Sequence, residues 1–159
     1  MKVKDKLIIL DFDDTLAKTD CKIKVLNKGL ALSTKEWVKY NYCPDEDEYD
    51  FSEFRGYLIN PRPTNFLLKR VPKLLANGSD VLILTSRIGK KAIEEFLKDY
   101  IKKPIKIVEG AFRPKDKRKK IESLLKKYNS IEFYDDSHKN VKAVKDIRNP
   151  KIIAKVVRG

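Results

Sequence analysis

Three aspartates follow an apolar segment near the start of the chain, and their types and spacing suit metal-assisted chemistry. Residues 7–10 are Leu, Ile, Ile and Leu, and they run directly into Asp11, Asp13 and Asp14. An unbroken apolar run of this kind is typical of a strand buried on both faces. Neighbouring carboxylates repel one another unless water or a cation lies between them. Because carboxylate oxygens are preferred ligands of Mg2+, the segment predicts a magnesium site at a strand end.

Two later apolar runs also end in residues that can do chemistry. Thr85 and Arg87 follow one run, and Asp135 and Asp136 follow another. In an open parallel sheet these strand ends share one edge with Asp11, which is where such folds place their sites. Each could instead be a helix cap, since Thr and Asp cap helices that follow strands. Three such ends in succession favour one shared site over three separate caps.

Alternating strands and helices must position these residues. The apolar runs predict strands at 6–11, 81–84, 105–108, 130–134 and 152–157. The 3.6-residue patterns predict a helix capped by Thr64 or Asn65 that includes Phe66 and ends near Gly78, helices at 90–100 and 116–128, and a last helix capped by Ser137. Pro72 lies inside the first helix and predicts a kink or a break there. The alternation indicates an α/β fold with a doubly wound, mostly parallel sheet.

Residues 18–61 do not follow this alternation and are interpreted as an insertion between the first strand and its helix. The core is therefore predicted to comprise residues 1–17 and 62–159. Within the insertion, Asn27-Lys28-Gly29 predicts a hairpin turn, and Ser33 with Glu36 predicts a capping box for a helix through Tyr40. The acidic stretch 45–50 lacks the spacing of a calcium-binding EF-hand, so we expect a solvated loop.

Composition limits the partners and the compartment. The 159 residues suffice for one domain, and 36 Lys and Arg against 23 Asp and Glu give a net charge of +13. Such a surface favours phosphorylated or polyanionic partners, although it also serves solubility alone. Cys21 and Cys43 are too few for a disulfide framework, which favours a reducing cytoplasm. The sequence has no signal-peptide pattern and no apolar run long enough to span a bilayer.

These motifs resemble the haloacid dehalogenase (HAD) superfamily, whose signature is Asp-x-Asp-x-Thr. Here the signature is the segment from Asp11 to Thr15, Thr85 is similar to the second motif, and Asp135-Asp136 is similar to the fourth. The resemblance covers about residues 6–16 and 62–157. It implies a Rossmann-like core with a small cap inserted after the first strand.

The third motif of the superfamily is a Lys or Arg ahead of the fourth strand, and three lysines qualify. Lys115, Lys117 and Lys119 all lie near the start of the predicted basic helix. Lys117 is preferred because it stands about one helical turn before Ile121, which begins the apolar face.

The resemblance implies a phosphatase that forms a covalent aspartyl-phosphate. Asp11 would be the nucleophile, and Asp13 would act as general acid and then as general base. Mg2+ would be held by Asp11, by the Asp13 main-chain carbonyl and by Asp135, with Asp136 as a further ligand. The Thr85 hydroxyl and the Lys117 ammonium group would bind the transferring phosphoryl oxygens; those two residues complete the implied site.

The substrate is indicated by the segment Thr85-Ser86-Arg87, which resembles the 3'-phosphatase domain of phage-type polynucleotide kinase/phosphatase. That resemblance implies nucleic-acid 3'-phosphate ends as substrate, with Arg87 in substrate binding, and the net charge of +13 suits a phosphodiester backbone. Nucleotides or small phosphomonoesters are the alternative substrates. A binding module that kept the fold and lost the chemistry is the alternative of another class, which the complete acidic set disfavours.

Aromatic residues are concentrated in the insertion. They are Trp37, Tyr40, Tyr42, Phe51 and Phe54. Such rings can stack on nucleic-acid bases, or they can pack the small core of the insertion itself.

Overall fold

The computed structural model describes residues 3–64 and 67–158. In chain order the strands are β1 (Lys4–Leu10), β2 (Ala17–Lys18), β3 (Lys22–Val25), β4 (Leu30–Ser33), β5 (Tyr49–Asp50), β6 (Arg62–Pro63), β7 (Asp80–Leu84), β8 (Lys106–Val108), β9 (Tyr128–Asp135) and β10 (Ile152–Val156). The α-helices are α1 (Thr34–Lys39), α2 (Leu67–Ala76), α3 (Lys90–Leu97), α4 (Pro114–Leu124) and α5 (His138–Lys145). Short 3-10 helices cover Leu26–Lys28, Ser52–Phe54 and Leu125–Lys127. Among the described helices, none combines the length and the apolar character that crossing a membrane requires.

The core of the described chain is a five-stranded sheet in the order β10-β9-β1-β7-β8, and each neighbouring pair is parallel. β1 is the central strand. Leu7 and Ile9 pack into the apolar cluster on one face of the sheet, and Ile8 and Leu10 pack into the cluster on the other. All four are buried, which explains why their run of the sequence does not alternate. The predicted α/β, doubly wound parallel fold is confirmed.

Helices cover both faces of this sheet. Leu68 of α2 and Ile93 of α3 belong to the cluster that contains Ile8 and Leu10. Ile121 of α4 and Val141 of α5 belong to the opposite cluster. This arrangement leaves the carboxyl ends of β9, β1 and β7, which are adjacent in the sheet, side by side at one edge.

Three details of the helices differ from the sequence-based expectations. α2 runs through Pro72 as one helix, so a break there is wrong: the proline removes one N–H from the helix, and packing of Leu68 and Val71 on the sheet outweighs that loss. α4 begins two residues earlier than expected because Pro114 suits the first helical position. It ends at Leu124, and α3 ends at Leu97, each short of the predicted end.

The expected start of α2 is only partly described. Asn65 and Phe66 lie outside the described residues. The Thr64 hydroxyl donates to the main-chain oxygens of Thr15 (2.7 Å) and Leu16 (3.2 Å). Thr64 therefore ties the end of the insertion to the loop that follows β1.

The insertion after β1 forms small antiparallel sheets of its own. β2 pairs with β6, and β3 pairs with β4 and β5. The predicted hairpin is confirmed, with Gly29 in the left-handed region at φ 62°. The predicted capping box is confirmed as well: Ser33 Oγ accepts from the Glu36 N–H at 3.1 Å, and Glu36 Oε1 accepts from the Ser33 N–H at 3.0 Å. The exact boundary of the insertion as a separate domain stays a prediction.

The acidic stretch 45–50 is not simply a solvated loop, because Asp47 is buried. Asp47 Oδ2 accepts hydrogen bonds from the hydroxyls of Tyr40 and Tyr49, each at 3.1 Å. Lys28 forms an ion pair with the same carboxylate at 3.0 Å. Because these hydrogen bonds and the ion pair favour the charged form, the pKa of Asp47 is lowered even though burial alone would raise it. Asp47 is therefore a structural centre of the insertion.

The insertion approaches the core closely at Gly89, in the loop that follows β7. Gly89 has a φ of +99°, and a Cβ at this position would lie 2.6 Å from the Cα of Gly56. The Gly56 N–H donates to the main-chain oxygen of Ile88 at 2.9 Å, and the Ile88 N–H donates to that of Phe54 at 3.1 Å. Only a residue without a side chain fits between these two backbones.

We expect Gly89→Ala to lower the free energy of unfolding by about 2–4 kcal/mol, since it combines left-handed strain with a backbone clash. Urea denaturation measures this loss. The matched control is Gly78→Ala, at φ +87° with open space around the position, which should cost only about 1 kcal/mol. Equal losses for the two variants would contradict the close approach.

Candidate active site

Lys117 links two of the strand ends. Its Nζ donates to Asp11 Oδ1, beyond β1, at 2.9 Å and to Asp135 Oδ2, at the end of β9, at 2.7 Å. All three side chains are buried. Lys117 lies on the inward face of α4, one turn before Ile121, whereas Lys115 and Lys119 are exposed. Of the three candidate lysines, the structure thus places Lys117 at the carboxylates.

Three carboxylates meet at this point. Asp11, Asp135 and Asp136 each offer one oxygen, and these oxygens lie within 4.8 Å of one another. Asp135 also accepts from the Ser137 N–H at 2.9 Å and from Asn140 Nδ2 at 3.0 Å, which fixes its orientation at the start of α5. Such a group of oxygen ligands fits a hard divalent cation such as Mg2+.

The charges of this group support the same fit. Burial and the charge of Asp135 raise the pKa of Asp11 to about 7 against the opposing effect of Lys117. Burial and the charges of Asp11 and Asp135 raise the pKa of Asp136 to about 10. For Lys117, burial disfavours the charged form, but the two aspartates outweigh it and raise the pKa. One ammonium group therefore does not compensate three carboxylates, and a divalent cation would.

Asp13 faces a different partner from the other acids. Arg87 holds it in a bidentate ion pair, with Nε to Oδ2 and Nη2 to Oδ1 both at 2.8 Å. Burial raises the pKa of Asp13, and Arg87 opposes that rise without cancelling it. Both Asp13 carboxylate oxygens are thus occupied by Arg87, and Asp13 is not part of the Asp11–Asp135–Asp136 group. This leaves its main-chain carbonyl as the metal ligand that the sequence resemblance implies.

Arg87 is itself enclosed by the insertion. Its guanidinium carbon lies 4.4 Å from the centre of the Phe54 ring, and Nη2 donates to Thr19 Oγ1 at 3.1 Å. Only 2% of Arg87 is exposed. In this structure Arg87 joins Asp13 to the insertion, and its guanidinium group does not lie open to a substrate.

The two hydroxyl residues after β7, Thr85 and Ser86, differ in their exposure. Thr85 is fully buried, and its Oγ1 accepts from the Arg87 N–H at 3.1 Å. Ser86 is exposed and lines the cavity above the carboxylates. Sequence reasoning chose Thr85 and passed over Ser86, although both follow the same strand end.

Asp14 is the third acid of the first motif, and its backbone is strained. Its φ of 61° is in the left-handed region, which costs a non-glycine residue about 1–2 kcal/mol. Its side chain lines the cavity and is buried, and its Oδ2 has no hydrogen-bond partner among the described residues. A buried carboxylate oxygen without a hydrogen-bond partner is unfavourable, and a cation bound beside it would offset this cost.

A cavity of about 390 Å3 opens above these acids. Its size falls within the range of small-molecule sites. The lining includes Asp11, Asp13, Asp14, Lys117 and Asp136 from the core, and Trp37, Tyr40, Tyr42, Phe51 and Phe54 from the insertion. Phe112 also lines it from the loop that follows β8. Phe112 was not among the predicted site residues, because the prediction rested on the polar residues at the strand ends.

The chain matches no family model and no curated protein sequence. Two solved structures are similar to it. The crystal structure of the effector Ceg4 from Legionella pneumophila has a TM-score of 0.55 at 13% identity, covering 99% of this chain and 88% of that one. The crystal structure of a Thermotoga maritima protein provisionally assigned as a beta-phosphoglucomutase has a TM-score of 0.53 at 14% identity, covering 97% of this chain and 88% of that one. At these identities the likeness concerns the fold alone, which agrees with the α/β core predicted from the sequence.

The raised pKa values predict how pH affects the metal-free protein. A carboxyl group whose folded pKa exceeds its unfolded value binds more protons in the native state, so stability falls as pH rises through that interval. With Asp11 near 7 and Asp136 near 10, we expect the Tm in EDTA to fall between about pH 5 and pH 9. Thermal unfolding across this range measures the effect.

A matched pair of variants tests the origin of that pH dependence. In EDTA near pH 8, Asp136→Asn should stabilise the protein by about 1–3 kcal/mol, because the native state must keep Asp136 protonated at a pH where the unfolded chain has lost that proton, and an amide removes this cost. Asp99→Asn, at an exposed position, should change stability by less than about 0.5 kcal/mol. A wild-type Tm that stays constant or rises with pH would contradict the repulsion between the carboxylates of Asp11, Asp135 and Asp136.

The buried Arg87–Asp13 pair also makes a prediction. Arg87→Leu leaves Asp13 unpaired, so we expect a loss of about 3–5 kcal/mol in the free energy of unfolding. Adding Asp13→Asn should recover part of that loss, which a double-mutant cycle in urea measures. Arg62 pairs with Asp20 at 3.0 Å, but both side chains are nearly half exposed, so Arg62→Leu should cost less than about 1 kcal/mol. If the double variant lost as much free energy of unfolding as the two single variants together, the Arg87–Asp13 pair would not be coupled and this prediction would be wrong.

Proposed function

We propose that this protein is a Mg2+-dependent phosphomonoester hydrolase that works through an aspartyl-phosphate on Asp11. The observation that carries the proposal is the contact of the Lys117 ammonium group with both Asp11 and Asp135 at the floor of an open cavity. This contact supports the proposal because a carboxylate beyond the end of the central strand, oriented by a buried lysine, can attack an atom that enters from the cavity.

Asp11 acts as the nucleophile in the first half-reaction. A carboxylate oxygen of Asp11 forms a bond to phosphorus while the bond from phosphorus to the leaving oxygen breaks. Lys117 keeps Asp11 oriented and offsets negative charge as the phosphoryl group is transferred. Mg2+, held by Asp11, Asp135 and Asp136 with the Asp13 carbonyl, would neutralise the repulsion between the attacking carboxylate and the substrate phosphate.

Asp13 moves the protons in both half-reactions. It gives a proton to the leaving oxygen, then takes one from the water whose oxygen bonds to phosphorus as the Asp11–phosphorus bond breaks. Burial raises the pKa of Asp13, which favours the protonated form that the first step needs. Both carboxylate oxygens accept from Arg87 in this structure, so one of these two bonds must be released when the proton is carried.

We propose nucleic-acid 3'-phosphate ends as the substrate. The net charge of +13 supports a polyanionic substrate. Arg55, Arg113 and Lys139 line the same cavity as the acids, where they would meet the phosphates that precede a terminal one. The segment Thr85-Ser86-Arg87 supports the same substrate, because it resembles the 3'-phosphatase domain of phage-type polynucleotide kinase/phosphatase. Free nucleotides are the competing substrates.

The test is Mg2+-dependent phosphate release from an aryl phosphate, a 3'-phosphorylated oligonucleotide and nucleoside monophosphates. We expect Asp11→Asn to lower kcat on each substrate by about 1,000-fold or more, because the nucleophile is lost. Asp99→Asn is the matched control and should retain wild-type rates.

Two results would overturn parts of this proposal. Unchanged activity in Asp11→Asn would reject the mechanism. A higher kcat/KM for free nucleotides than for the 3'-phosphorylated oligonucleotide would reject the nucleic-acid substrate and leave the mechanism in place. Tight binding of the oligonucleotide without any release of phosphate would instead indicate a binding module on this fold.

A further inference from the structure

A cluster of aromatic rings forms one wall of the cavity above the acids. Trp37 is its centre, with ring centroids 5.7 Å from Tyr42, 5.4 Å from Phe51 and 6.4 Å from Phe112. Phe112 also lies 5.0 Å from Phe51 and 5.6 Å from Tyr42. Since Phe112 follows β8 and the other rings belong to the insertion, core and insertion build this wall together.

Packing within the insertion does not account for the whole cluster. Trp37 and Phe51 are partly buried among their neighbours, as a small core requires. Tyr42 and Phe112 each remain 37% exposed, and both line the cavity that contains Asp11. Exposed aromatic surface inside a concave site, beside catalytic groups, is the usual form of a ligand-binding wall.

Hydrogen bonds tie the neighbours of Trp37 together. Asp47 accepts hydrogen bonds from the hydroxyls of Tyr40 and Tyr49, whose rings lie 6.2 Å and 5.4 Å from Trp37. Asp47, in the acidic stretch 45–50, thus joins two of the rings that pack against Trp37. A pre-organised wall lets a ligand bind without first ordering the side chains it contacts.

We infer that Phe112 and Tyr42 stack against the nucleobase of the nucleotide whose phosphate is removed. This inference rests on the proposed function, because it assigns the leaving group of that reaction. Nucleobases present a flat π-surface that stacks on aromatic rings whatever the sequence. Arg55, Arg113 and Lys139 line the same cavity. Their positive charges suit a nucleobase in an oligonucleotide, because each adjoining nucleotide carries a negatively charged phosphate. A phosphotyrosyl peptide would supply the ring without those further charges.

Trp37 provides a direct readout of ring binding, since it is the only tryptophan of the chain and contacts Phe112. In the Asp11→Asn background with Mg2+, the experiment titrates a 3'-phosphorylated oligothymidylate and follows Trp37 fluorescence, excited where thymine barely absorbs. We expect saturable quenching. Phe112→Ala should weaken this binding by about 5- to 150-fold, the range that one stacked base contributes. Tyr42→Ala is the second variant and should weaken it in the same direction.

The matched control is Tyr57→Ala. Tyr57 is a 48% exposed aromatic residue of the insertion that does not line the cavity, so its truncation should leave the oligothymidylate affinity unchanged. Phe112→Tyr, which restores a ring without adding a second tryptophan, should recover most of the binding lost in Phe112→Ala. Glycerol 2-phosphate, which has no ring, measures phosphate binding alone. The affinity for the oligothymidylate, divided by the affinity for glycerol 2-phosphate, should be lower in Phe112→Ala than in the protein with Phe112.

The outcomes separate this inference from the proposed function. If Phe112→Ala weakens both ligands equally, or if Tyr57→Ala has the same effect, stacking is rejected while Asp11-dependent hydrolysis stands. Tighter binding of a phosphotyrosyl peptide than of the oligothymidylate would reject the nucleobase. If wild type hydrolyses no phosphomonoester but Phe112 still governs oligothymidylate binding, the proposed function fails and the base-binding wall is supported.

Discussion

The site depends on one buried ion triad, in which the Lys117 ammonium group lies between Asp11 and Asp135. Buried carboxylates at this density are unfavourable unless they are paired, and removing one partner of such a pair leaves an uncompensated charge. Lys117 in turn depends on α4, because Ile121 packs under the sheet and fixes the rotation of the helix. The chemistry of the strand ends is therefore coupled to the packing of a helix. Within the described residues Asp136 and Asp14 form no ion pair, which agrees with a site that could hold a further cation.

Sheet order explains why residues distant in sequence meet here. β9, β1 and β7 are adjacent in the sheet, so Asp135, Asp11 and the loop beginning at Thr85 follow one another along a single edge. β8 lies next to β7, and the loop that follows it supplies Phe112. Four of the five parallel strands thus lead into one part of the site each: β9 into Asp135, β1 into Asp11, β7 into the arginine that holds Asp13, and β8 into an aromatic ring. The helices between the strands separate these residues in sequence, but the strand ends still lie at the same edge of the sheet.

The parts predicted from sequence are those with a local cause. Residues 7–10 indicated the buried central strand through an unbroken apolar run, Ser33 and Glu36 indicated a helix start through their spacing, and the helical phase of Ile121 selected Lys117. What could not be predicted depends on contacts between distant segments. Asp13 and Arg87 are 74 residues apart, and nothing near either residue distinguishes a bidentate pair from a free arginine. Pro72 shows the converse, since tertiary packing outweighs a strong local preference.

The contacts that hold the insertion to the core are the ones that also place the reactive groups. Arg87 joins Asp13 to the Phe54 ring, the Gly56 and Ile88 backbones are hydrogen-bonded beside Gly89, and Phe51 lies against Phe112. A shift of the insertion would therefore move the aromatic wall and disturb the Arg87–Asp13 pair together. In the proposed mechanism Asp13 must release one of its bonds to Arg87 to carry a proton, so binding of a ring at the wall and proton transfer by Asp13 would depend on the same few contacts. Under this proposal, substrate recognition and proton transfer would share one structural support, which neither the core nor the insertion provides alone.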